Sequence, residues 1–113
     1  MTRKLAIAAG VLALALALAG AASAQALDDK KAAEVMKKAG CDACHSIDRK
    51  GVGPSYKDVA KKEKPVPGAA AEMFQKVRKG GVGAYGQVPM PPNPPEKISD
   101  ADLKALIAWI LTK

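Results

Sequence analysis

The chain has 113 residues, 49% of them hydrophobic, yet only Tyr56, Phe74, Tyr85 and Trp109 are aromatic. That length holds one small domain and excludes a multidomain enzyme. Eighteen basic residues against eleven acidic ones give a net charge of +7, but the lysines are scattered and no aromatic residues alternate with them, which argues against nucleic acid as a partner.

Residues 1–24 read as a cleaved Sec export signal. Arg3 and Lys4 form a short positive region, residues 5–20 are an Ala/Leu-rich apolar run, and Ala22-Ser23-Ala24 fits the small-x-small cleavage pattern. A retained anchor is the alternative, because the run approaches the length of a spanning helix. The high Ala content and the lack of a basic cluster directly after the run favour cleavage, with Gln25 as the first mature residue. Export places the remaining domain, residues 25–113, in the periplasm with no stable membrane insertion. Its balance of charge stays basic, which reads either as a solvated surface or as a means of steering toward acidic partner proteins.

A first helix is expected over residues 27–40. Asp28 and Asp29 suit its positive end, Lys37 and Lys38 its negative end. Ala32, Val35, Met36 and Ala39 form a narrow apolar stripe, and Gly40 is placed to stop the helix.

Cys41-Asp42-Ala43-Cys44-His45 follows at once and holds both cysteines and the single histidine. A Cys-x-x-Cys-His run reads as covalent attachment of haem c, the thiols adding to the porphyrin vinyl groups and the imidazole ligating the iron. One helical turn brings the two thiols side by side at one edge of a flat macrocycle, with His45 beneath it. Three alternatives compete. A thioredoxin-like redox pair needs a βαβ context, a zinc site needs four ligands where Cys and His supply three, and a structural disulfide leaves His45 without a role. A haem would also supply the apolar plate that so small a chain lacks; the haem-free chain is therefore expected to be largely unfolded.

Gly51-Val52-Gly53-Pro54 is a turn-rich loop, and residues 56–62 suit a short helix burying Tyr56, Val59 and Ala60. After Pro65 and Pro67, residues 69–79 read as a helix with Ala70, Met73, Phe74 and Val77 on one face and Gly80-Gly81 at its end. The last helix starts at Ser99, carries Asp100 and Asp102 in its first turn, and lines one face with Leu103, Leu106, Ile107 and Ile110. No alternating strand pattern appears, so the fold class is all-α.

Between the last two helices, residues 80–97 contain four glycines and five prolines. Their composition suggests a stiffened strap. Met90 lies inside it, between Pro89 and Pro91. Met36 and Met73 fall on helical stripes where core filling explains them; Met90 has no periodic reason for burial. A thioether held by a rigid loop suits haem iron as a second axial ligand, and such ligation raises the reduction potential. The alternative is a methionine packed on the haem face without bonding.

With these residues in place, the chain resembles a class I cytochrome c, most closely the short bacterial cytochrome c-551 group. The resemblance runs from about Asp29 to Lys113. It is carried by Gly40-Cys41-x-x-Cys44-His45, by Val52-Gly53-Pro54-x-Tyr56-Lys57-Asp58-Val59-Ala60 and by Val88-Pro89-Met90-Pro91-Pro92-Asn93. It implies a cytochrome c fold of four to five short helices wrapped around one covalent haem. It further implies that the Pro54 carbonyl accepts the Nδ1 proton of His45 and that Asn93 hydrogen-bonds near the Met90 sulfur. The first and last helices should cross near the haem with Met36 facing Trp109, where relatives carry an aromatic residue in place of Met36. Tyr85 and Lys76 stand where relatives carry a Trp and an Arg that reach a haem propionate. Tyr85 keeps a donor; Lys76 keeps the charge but loses the planar fork.

The function this implies is one-electron transfer, without catalysis, by a monomeric carrier with low-spin haem between His45 and Met90. Its partners would be transient redox proteins with acidic docking surfaces, such as a periplasmic reductase, terminal oxidase, peroxidase or photosynthetic reaction centre. Val52, Val88, Pro91 and Pro92 would surround the exposed haem edge near Cys41, Ala43 and Cys44. A ligand-binding or peroxidatic haem protein, from which Met90 leaves readily, is the rival; a haemless thiol-redox protein is the third possibility.

Overall fold

The structure, a computed structural model, describes residues 26–113. The expected export signal, residues 1–24, lies outside the described residues. Four α-helices follow in order: α1 (Asp29–Ala39), α2 (Tyr56–Glu63), α3 (Ala69–Lys79) and α4 (Asp100–Ile110), with a single 3-10 turn at Cys41–Ala43. Among the described residues there is no strand, only an isolated antiparallel bridge between Gly81 and Met90. The all-α expectation is met.

Local chemistry sets the helix ends. Asp28 caps α1, its carboxylate accepting from the Lys31 amide at 2.7 Å. Ser55 and Ser99 cap α2 and α4 in the same way, through the amides of Asp58 and Asp102. Gly40 closes α1 at a φ of 78°, returning its N–H to the carbonyls of Met36 and Lys37, a left-handed conformation that favours glycine. The expected stripe of Ala32, Val35, Met36 and Ala39 is buried. On α3 the apolar face is shifted from expectation: Ala69 is buried and Ala70 exposed, while Met73, Phe74 and Val77 are half-buried. The turn leading into α3 places its first residue against the core, which periodicity within the helix does not reveal.

Helix α4 is the centre of the packing and touches α1, α2 and α3. Leu103, Leu106, Ile107, Trp109 and Ile110 join the α1 stripe, Tyr56, Val59 and Ile98 in one buried cluster. Met36 and Trp109 both belong to it. Burying each such large side chain stabilises the fold by about 1.5–3 kcal/mol. The Trp109 indole N–H also donates to Asp29 Oδ1 at 2.8 Å, across 80 positions of sequence, and Lys113 Nζ reaches the same oxygen at 3.0 Å. The Trp109 bond, followed by that of Lys113, holds the Asp29 carboxyl below its usual range. Helices α1 and α4 are thereby locked by a polar tie outside the apolar contact.

Candidate haem-binding site

The site begins where α1 stops. Gly40 turns the chain into the 3-10 turn, and the amides of Cys44 and His45 both return to the Cys41 carbonyl, at 3.2 and 3.0 Å. Cys41 and Cys44 are thus one turn apart, half-buried and free of any disulfide. Burial pushes the Cys41 thiol above its ordinary range, opposed in part by Lys97.

The segment after the motif folds back on it. The Gly53 amide donates to the Cys44 carbonyl at 2.9 Å and the Tyr56 amide to the Ser46 carbonyl at 2.9 Å. This return brings the Pro54 carbonyl to His45, whose Nδ1–H donates to it at 2.8 Å. A carbonyl can only accept, so the proton sits on Nδ1 and the Nε2 lone pair is free for a metal. The Tyr56 ring stacks against the imidazole, with centroids 5.3 Å apart and planes 19° from parallel, and meets Trp109 edge-on at 5.8 Å. Burial raises the Tyr56 phenol well above its usual range. On the other side Gly53 approaches so closely that a Cβ there would lie 2.6 Å from His45 Cε1. Only a residue without a side chain leaves the ring its place.

The opposite wall is the strap. Gly81 and Met90 exchange both backbone hydrogen bonds, at 2.8 and 3.0 Å, and the Gly83 amide closes the tip onto the Gly86 carbonyl at 2.9 Å. Gly80 leaves α3 at φ 69°, ψ −162°, where a Cβ would overlap the Met90 carbonyl and the Pro91–Pro92 backbone. Asn93 is buried; its amide N–H donates to Val77 O at 3.0 Å, while Nδ2 donates to Val77 O at 3.3 Å and to Pro91 O at 3.1 Å. Both side-chain donors are therefore engaged by backbone carbonyls, in place of the expected bond near the Met90 sulfur. Tyr85 OH donates to Glu63 Oε1 at 2.9 Å, Lys62 Nζ lies 4.4 Å from the centre of the Tyr85 ring, and the same ammonium donates to Ala84 O. Burial, then the Glu63 bond, raises the Tyr85 phenol.

Between the two walls runs a cleft of about 230 Å³, bordered by Cys44, His45, Pro54, Lys76, Tyr85 and Met90. Val59, Met73, Val77 and Ile110 supply apolar lining. Cys41 and Asn93 stand behind it, the first against the core and the second inside the strap. A largely apolar slot bordered by an imidazole with a free nitrogen, by Met90 and by the Cys44 thiol, with Cys41 one turn behind, fits a flat iron macrocycle and its two attachment points. A zinc site does not fit: among the described residues no three His, Cys, Asp or Glu side chains converge. The thioredoxin-like alternative lacks its sheet among the same residues.

Three contributors are not visible in the motifs. Gly53 stands inside a recognised segment, but its closeness to His45 is a matter of three dimensions. Gly80 reads as a helix stop and proves also to be the seat of the Met90 backbone. Arg78, two positions beyond Lys76, reaches the strap at Asn93 and α4 at Asp100; only its polar partners, distant in sequence, would have revealed it.

Known proteins resemble this chain in sequence and in fold. The family described as Cytochrome c matches residues 30–113. A cytochrome c2 of Rubrivivax gelatinosus is 57% identical over 79 residues, covering 70% of this chain and 93% of the relative. A cytochrome c-551 of Azotobacter vinelandii is 47% identical over 79 residues, with the same two coverages of 70% and 93%. The crystal structure of wild-type Nitrosomonas europaea cytochrome c552 superposes with a TM-score of 0.65 at 48% identity, covering 71% of this chain and 96% of that one. A match along the whole helical domain, at such identity, places the chain in the cytochrome c family as a class I member of the c-551 type, and membership implies covalently attached haem c.

Proposed function

We propose that the chain is an exported, periplasmic one-electron carrier in which Cys41 and Cys44 hold haem c and its iron lies between His45 Nε2 and the Met90 sulfur. The observation that carries this reading is that His45 and Met90 border one largely apolar cleft, with His45 Nδ1 already committed to Pro54. When bound, the haem supplies the Fe(III)/Fe(II) couple. The protein does the rest. The Pro54 carbonyl and the Tyr56 ring fix the imidazole plane, so the ligand need not reorient when charge changes. The paired Gly81–Met90 backbone holds the thioether side. Apolar lining excludes water, and with both axial positions filled by side chains no site is left for a substrate, which favours transfer over catalysis.

Tyr85 and Lys76 stand on the rim, where a propionate would meet the Lys76 ammonium and could draw the Tyr85 proton only in exchange for its bond to Glu63. Val52, Val82 and Val88 are 57%, 61% and 60% exposed and, with Pro91 and Pro92, form an apolar docking rim for acidic redox proteins, lysines lying beyond. Such encounters are small and transient.

The test is the absorption spectrum of the exported protein. A pyridine haemochrome with a low-spin ferric haem and the weak long-wavelength Met-to-iron band supports the reading, and Met90→Ala should abolish that band. A high-spin wild type that captures CO or cyanide rapidly would overturn it in favour of a ligand-binding haem protein. N-terminal sequencing should begin at Gln25 if the leader is removed as expected.

A further inference from the structure

On α3, positions 76 and 78 point to opposite sides. Lys76 borders the cleft. Arg78 turns away from it, its side chain only 12% exposed, with the guanidinium 5.1 Å from the centre of the Phe74 ring. Its Nη1 donates to the Asn93 carbonyl at 3.0 Å and to the Ile98 carbonyl at 2.7 Å, while Nη2 pairs with Asp100. Asn93 passes this hold onward through Nδ2 to the carbonyl of Pro91, the residue next to Met90. Guanidinium, Asn93 and Pro91 thus form one connected path from α3 to the backbone beside Met90.

The chemistry explains why a charge stands in so enclosed a place. A buried cation is costly unless its donors are met; here two carbonyls and a carboxylate meet them. Charge-assisted bonds of this kind are stronger than neutral ones, and only a planar fork reaches three acceptors lying in different directions. Lysine would satisfy one or two.

We propose that Arg78 is a positioning residue for Met90: by gripping Asn93 it sets how firmly the strap holds the thioether in the cleft. The inference rests on the reading of Met90 as the second axial ligand. It separates a closed electron carrier from a haem whose sixth position opens, and assigns that decision to a residue that touches neither haem nor ligand.

The experiment uses the haem-loaded, exported protein with three substitutions. Arg78→Met keeps the apolar stem and removes every donor. Asp100→Asn removes the ion pair but leaves both carbonyl contacts. Arg78→Lys keeps the charge and carries the comparison should the methionine variant fail to fold. Three quantities are followed: the ferric Met-to-iron band against temperature beside helical circular dichroism, the rate of cyanide capture, and amide exchange at Met90 and Asn93.

In Arg78→Met the band should vanish well below the melting of the helices, and cyanide capture should quicken roughly tenfold, as loss of the charged bond to Asn93, the one of the three that reaches the strap, allows. Arg78→Lys should fall between it and wild type, and Asp100→Asn should behave as wild type. Band and helices melting together with an unchanged cyanide rate would reduce Arg78 to a staple between α3 and α4 and overturn the proposal. So would an Asp100→Asn variant that reproduces the full effect. If wild type itself lacks the band, the ligand reading fails separately. Amide exchange then decides: faster exchange at Met90 and Asn93 with α1 unchanged upholds the grip, and equal exchange refutes it.

Discussion

The two walls of the cleft are built on different principles. The histidine wall is local: Cys41 to Tyr56 closes on itself through backbone bonds, and Tyr56 joins it to the core through Trp109. The methionine wall is remote. Its strap has one β-bridge and a bond across its tip from Gly83 to Gly86; to the helices it is held by Asn93 on Val77 and by side chains from α2 and α3: Lys62, Glu63 and Arg78. One wall therefore shares the stability of the whole domain, whereas the other depends on a handful of polar ties. Regions tied in the second way are those that open first.

The sharpest way to break the comparison is to attack the histidine wall through its anchor. Tyr56→Ala removes a ring that is 4% exposed and lies between His45 and Trp109; roughly 3–5 kcal/mol of unfolding free energy should be lost, read by denaturant titration. Both walls should fail together. Gly80→Ala is the counterpart on the other side. Its backbone lies in a region restricted to glycine, and the new methyl overlaps the Met90 carbonyl, at a cost of roughly 2–4 kcal/mol. Here the Met-to-iron band should be lost while haem attachment and helix content persist. If instead Gly80→Ala melts the protein as a unit, the walls are not separable.

Smaller effects sharpen the contrast. Tyr85→Phe deletes the bond to Glu63 and should cost about 1 kcal/mol, with faster exchange of the Gly83 amide at the strap tip and no change at Gly53. The smallest effect concerns neither wall. Asp29 is held below the usual carboxylate range by Trp109 and then Lys113. A lowered folded value contributes stability that is present above the unfolded value and disappears as pH falls through the folded one. The melting temperature of wild type should exceed that of Asp29→Asn near neutrality, and the gap should close as pH drops below about 4.

The same division governed what could be read before the fold was known. All four helices were legible because their signals are local: Asp28 and Ser99 at two of the starts, Gly40 and Gly80 at two of the stops, and apolar stripes between. The Cys41–His45 motif and the isolation of Met90 pointed to the two sides of the cleft. What could not be read joins distant positions. The bond of Trp109 to Asp29 spans 80 residues, that of Tyr85 to Glu63 spans 22, and the three acceptors of Arg78 lie from 15 to 22 residues away. Hydrophobic period says which face turns inward, but not which polar groups meet across the gap. The burial of Ala69 in place of Ala70 is a milder case, since the approach of the preceding turn sets it.

The meeting of α1 with α4 has a consequence for the order of events in the cell. The innermost layer draws on both the earliest and the latest of the four helices, so no stable half-domain can close before α4 has been made. Until then the segment bearing the two thiols has no core to pack on, since Cys41 and Tyr56 both rest on a cluster that contains Trp109. Topology itself thus makes docking of the final helix the step that seals the cleft from behind.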